Sequence, residues 1–97
     1  MSDVVILMQT IRALILSGDF VMTEHFTDRC RERGLASAAV VQDTAQGHII
    51  ENYPDDPRGP SCLILTKSGT YTLHVVVGAS HVEIIMITAY SPNPGQW

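Results

Sequence analysis

The spacing of apolar residues changes at Gly47, and this change limits the fold more than any other feature of the chain. Before it, apolar residues recur three and four apart, as on a helix with one side against a core. After it they alternate, or run together in short blocks between turn residues, as in strands. Helices first and strands second, with short connections between successive strands, describe an α+β domain. The expected architecture is two to three N-terminal helices packed on one face of a four-stranded antiparallel sheet.

The helices carry recognisable ends. Ser2 is placed to cap a first helix, with Asp3 in its first turn and Val4, Met8, Ile11 and Ile15 forming its apolar stripe, widened by Leu7 and Leu14. Gly18 stops it. Thr23 caps a second helix that starts at Glu24 and stops at Gly34, with Phe26 and Cys30 facing inward. His25, Arg29 and Arg33 are also four apart, so one imidazole and two guanidiniums line up beside that inward seam. Ser37 is expected to cap a third helix, closed by Gly47, with Val40, Val41 and Thr44 turned inward.

Four strands are expected over residues 48–53, 61–67, 70–78 and 82–90. In the third, Tyr71, Leu73, Val75 and Val77 point one way and Thr72, His74 and Val76 the other, so His74 is expected either on the face away from the helices or as a hydrogen-bonded core histidine. The fourth is apolar on both sides, through Ile84 and Met86 on one and Ile85 and Ile87 on the other. Such a strand is either central or covered by a partner. Between the first two strands lies Y-P-D-D-P-R-G-P-S, a loop stiffened by Pro54, Pro57 and Pro60. Its Asp55 and Asp56 read as turn-forming residues, one of which holds Arg58 in place.

Composition narrows the function. The 97 residues form one domain, 1–97, and 45% hydrophobic against 16% charged residues is ample for a core. A net charge of -4 argues against a general nucleic-acid binder and against DNA as a partner. Arg29, Arg31, Arg33 and Arg58 are nevertheless four of the six basic residues, which leaves room for a local basic patch. Cys30 and Cys62 sit among apolar neighbours and read as buried free thiols. The N-terminal apolar run is too short and too interrupted to span a membrane, so a soluble cytoplasmic protein is expected. His25, Cys30, His48, Cys62, His74 and His81 show no metal-ligand spacing, so neither a metal nor a cofactor is expected.

The segments T-E-H at 23–25, R-C-R-E-R-G at 29–34, Y-P-D-D-P-R-G-P-S-C-L at 53–63, L-H-V-V at 73–76 and Y-S-P-N-P-G-Q-W at 90–97 resemble a small bacterial family. That family is the domain of unknown function 4258, a relative of the RelE/ParE toxin superfamily. The resemblance implies a RelE/ParE-like fold. It further implies metal-independent cleavage of RNA, or inhibition of translation, within a toxin–antitoxin type system. The implied partners are RNA and an antitoxin-like protein on the sheet, or a second copy of the chain. Carried onto this sequence, the site comprises His25 and His74 as acid and base, with Tyr90 at the end of the last strand. Arg29, Arg33 and Arg58 are its phosphate-binding groups. The alternative is a non-catalytic module of the same fold that recognises a protein or a small anionic ligand.

Overall fold

The computed structural model describes residues 6–79 and 82–92. Three helices, α1 (Met8–Leu16), α2 (Glu24–Glu32) and α3 (Ser37–Ala45), precede most of the strands. The strands are β1 (Phe20–Met22), β2 (His48–Tyr53), β3 (Ser61–Ser68), β4 (Tyr71–Ala79) and β5 (Ile84–Tyr90). Among the described residues the sheet has five strands, in the order β1-β5-β4-β3-β2, not the expected four. It is mixed, because β1 runs parallel to β5 while β2 to β5 form an antiparallel meander. Three residues between a turn and a helix cap are too few to display a period of two, so β1 carries no local signal. Its strand character comes from docking: the Ile84 amide donates to the Asp19 carbonyl, and the Thr23 amide to the Met86 carbonyl.

Helix ends follow from their residues with two corrections. Thr23 caps α2 as expected, its hydroxyl accepting from the Phe26 amide at 3.0 Å. Gly18 and Gly34 both adopt positive φ just beyond α1 and α2. At each, the following amide reaches back to the helix, Asp19 to the Leu14 carbonyl and Leu35 to the Cys30 carbonyl, which satisfies carbonyls the helix leaves open. Ser37, however, is the first residue of α3 and not its cap; Ala36 holds that place without a side-chain bond. Gly47 does not act through positive φ either. A Cβ there would lie 2.5 Å from the Leu65 carbonyl oxygen and 2.8 Å from the Ile64 side chain, so glycine is required for α3 to meet β3 closely. In α1 the cap is Leu7; the expected Ser2 cap, Asp3 and Val4 lie outside the described residues.

One core joins Ile11 and Ile15 of α1, Phe26 and Cys30 of α2, and Val40, Val41 and Ala45 of α3 to a single face of the sheet. That face is built from Cys62, Ile64, Leu73, Val75, Val77, Ile84, Met86 and Ala89. The helix-facing positions of β4 are those its alternation indicates. In β5 the alternation breaks because Val76 pairs with Thr88 but Val77 with Met86, leaving Ile87 as an extra residue in a bulge. The bulge changes the phase of the β5 pleat part-way along, so that Met86 and Ala89, three residues apart, both face the core. The Ile87 carbonyl accepts from the Thr23 hydroxyl at 2.9 Å, so one threonine both caps α2 and ties it to the bulge.

Two substitutions test these constraints. Gly47→Ala is expected to lower stability by about 1–3 kcal/mol through the clash with β3, read as a shift of the urea midpoint. Thr23→Ala should cost about 1–2 kcal/mol, while Thr23→Ser keeps the hydroxyl and most of the stability.

Candidate functional site

Residues directly opposite one another in an antiparallel pair share a face, so the register maps the sheet surface that points away from the helices. One row runs His48, Leu65, His74 and Tyr90 across β2, β3, β4 and β5. The next runs Glu51, Leu63, Val76 and Thr88, and a third Tyr53, Ser61, Gly78 and Ile85. Two of the residues singled out in the sequence, His74 and Tyr90, are therefore cross-strand neighbours. His74 Nδ1 and the Tyr90 hydroxyl lie 3.3 Å apart. The rings meet edge to face, with centroids 5.3 Å apart and planes at 67°.

The two differ sharply in access. His74 retains 1% of its solvent exposure and Tyr90 38%. Burial lowers the His74 pKa from 6.5, against a smaller opposing effect of the Glu51 carboxylate, so the imidazole is neutral near pH 7. With Nδ1 unprotonated the neutral imidazole accepts from the Tyr90 O–H; with Nδ1 protonated it donates to the Tyr90 oxygen. Tyr53, on the same face, has its phenol pKa raised by burial first and by Glu51 second. Glu51 and Tyr53 escaped the reading of the sequence. The bulge between Ile49 and Glu51 shifts the pleat of β2 at that point, so simple alternation does not place Glu51 with His74.

The arginines and His25 are arranged differently. Asp56 holds Arg58 firmly: its carboxylate accepts from the Arg58 amide at 3.0 Å, from Arg58 Nε at 3.4 Å and from the Ser61 hydroxyl at 2.8 Å. These bonds, the Arg58 amide first, keep the Asp56 carboxyl below its ordinary pKa. Arg58 lines a cavity with Thr23, Asp56, Gly59, Pro60, Gly78, Ala79, Ile85 and Ile87. Its loop thus meets β4 at Gly78, four residues along the strand from His74. Arg29 pairs with Glu32 on the surface of α2, and Arg31 with Asp28 at 2.9 Å. Arg33, half-buried at the end of α2, donates through Nε to the Ser91 hydroxyl at 3.4 Å, next to Tyr90. His25 is exposed near the start of α2.

Neither thiol is primed for chemistry. Burial raises the Cys30 pKa, partly offset by Arg33, and pushes Cys62 up to about 12. Among the described residues, no three His, Cys, Asp or Glu side chains gather into a set that could hold a metal ion.

A family model described as domain of unknown function (DUF4258) matches residues 22–91, well over half of the chain. The chain belongs to the DUF4258 family. The matched span contains α2, α3 and β2 to β5, and with them Glu51, Tyr53, Arg58, His74 and Tyr90. No curated protein and no solved structure matches this DUF4258 chain. None of its described helices is long and apolar enough to cross a membrane.

The buried imidazole gives this DUF4258 domain a definite pH response. Because the folded pKa of His74 lies below the unfolded value, the unfolded chain binds the proton more readily, and stability falls as pH drops through about 6.5 toward the folded pKa. Urea midpoints measured between pH 7.5 and 5 should decline for the wild type, and decline less steeply for His74→Leu.

Proposed function

We propose that this protein is a RelE/ParE-toxin-like, metal-independent endoribonuclease that inhibits translation. The observation that supports this reading best is the His74–Tyr90 pair, a solvent-accessible phenol hydrogen-bonded to a buried neutral imidazole on the open face of the sheet. Cleaving an RNA strand at its own 2′-hydroxyl needs a group that removes that proton and one that protonates the leaving 5′-oxygen. His74 is too enclosed to touch a substrate, so Tyr90 is the contacting group. As Tyr90 takes the 2′-hydroxyl proton on its oxygen, its own proton passes to His74 Nδ1. Glu51, whose charge favours the protonated ring, stabilises the imidazolium that results. His25 is the candidate donor to the 5′-oxygen. Arg29 and Arg33 are the candidate groups for phosphate charge, and Arg58 is a candidate substrate-binding group.

A binding module is the second reading, and one feature favours it. Tyr53, Ile85 and Tyr90 expose apolar surface on the same open face, which a protein partner or a second copy would cover.

Induced expression separates the two. The catalytic reading expects growth arrest by the wild type, relieved by Tyr90→Phe, His74→Ala or Arg58→Ala. Purified wild type in EDTA should cleave single-stranded RNA to 2′,3′-cyclic phosphate ends, with Tyr90→Phe slower by about 10²-fold or more. Harmless expression with intact RNA favours the binding module. Light scattering on the purified protein, giving a dimer or a mixed complex, then checks it.

A further inference from the structure

The cavity beside Arg58 plays no part in the proton transfer at Tyr90, and its construction asks for a ligand. Gly78 occupies the open-face row between Ser61 and Ile85, where a side chain would otherwise stand. A Cβ placed on Gly78 would meet Ile87, the Pro60 carbonyl and Ile85 at 3.5, 3.7 and 4.0 Å, which is ordinary van der Waals contact. Glycine is therefore not needed there to relieve a clash, and what its missing side chain provides is space. The resulting cavity holds about 420 Å³, within the range of small-ligand pockets. Gly78, Pro60, Ile85 and Ile87 line it together with the polar groups of Thr23 and Asp56.

Arg58 stands at the mouth with most of its side chain exposed. Asp56 accepts from its amide at 3.0 Å and from Nε and Nη2 at 3.4 and 3.5 Å, which turns the guanidinium toward Asp56 and leaves the Nη1 donors for a ligand. The Ser61 hydroxyl holds Asp56 in turn. The loop does not present a positive excess, since Asp55 and Asp56 outnumber Arg58. A phosphate is therefore a poor match, whereas a neutral planar group with a carbonyl edge is a good one. Its ring fits against Pro60, Ile85 and Ile87, and its oxygen accepts from Arg58.

We propose that this cavity is a subsite for one nucleobase of single-stranded RNA, with Arg58 as the residue that reads its edge. The inference rests on the RNA reading above and extends it to substrate selection. Gly78 and His74 are four residues apart on β4, about 13 Å, so the base it holds lies a short step along the strand from Tyr90. Tyr53, half-exposed in the Gly78 row, offers a ring on which a neighbouring base can stack.

The test uses fluorescent pentanucleotides UUXUU with 2′-O-methyl riboses, which cannot be cleaved, and reads binding by anisotropy with X as each of the four bases. The wild type should discriminate among the bases at X. Gly78→Leu, which fills the cavity, should bind the preferred oligonucleotide about tenfold or more weakly and lose the discrimination. Arg58→Ala should lose discrimination as well. Gly78→Ala, whose Cβ is tolerated sterically, serves if the leucine variant does not fold, and should show a smaller change in the same direction. Equal binding of all four bases by the wild type, or unchanged binding by folded Gly78 variants, overturns the subsite and leaves the Tyr90 chemistry standing. No binding of any oligonucleotide by the wild type overturns the subsite and the RNA reading together.

Discussion

The pleat of β4 is the constraint on which the rest of the molecule depends. Leu73, Val75 and Val77 leave one side of that strand and enter the core beneath the three helices. Each such side chain, fully buried, contributes about 1.5–3 kcal/mol. A slip of one residue would send all three to the opposite face and His74 and Val76 into the helices. The apolar register therefore decides where the polar groups go. His74, Val76 and Gly78 are on the open face because their neighbours cannot be.

From that placement the site follows by pairing. His74 meets Tyr90 because β4 and β5 are antiparallel in one register, and it approaches Glu51 because the bulge in β2 swings that carboxylate onto the same surface. Burying an imidazole is tolerable when it stays neutral and keeps a hydrogen bond. Burial itself ensures the first condition by lowering the pKa, and Tyr90 meets the second. The proline-rich loop solves a separate problem. Pro54, Pro57 and Pro60 restrict its backbone, and Asp56, bonded to Arg58 and Ser61, turns it into a bracket at the end of the sheet. Arg58 is thus fixed beside Gly78, some distance along β4 from the His74–Tyr90 pair.

Much of this was legible where the signal is local. Thr23 and the glycines 18 and 34 mark helix ends because capping is chemistry within a few residues. The meander from β2 to β5 is legible because turn residues break the apolar sequence after Gly47 into successive strand-length runs. That one of the two loop aspartates holds Arg58 follows from ordinary turn chemistry, and the structure shows it to be Asp56. The misses share a cause. β1 has no period of its own and becomes a strand only beside β5. Ser37 has the composition of a cap but not its position, and Gly47 looks like a helix stop while acting as a steric gap against Leu65 and Ile64. Glu51 and Tyr53 were hidden by a bulge that breaks the alternation used to find such residues.

The sequence by itself determined the α+β class and most of the element boundaries, and it offered the helix-free face as one of two places for His74. Those properties depend on period and on local hydrogen bonding, which a linear string records. Only the tertiary structure decided that the sheet is mixed, that His74 touches Tyr90, and that Arg58 stands over a gap left by Gly78. Each of these depends on which strand lies beside which and on where a bulge resets the register. Such distances between residues far apart in the chain are set by packing, and no local pattern encodes them.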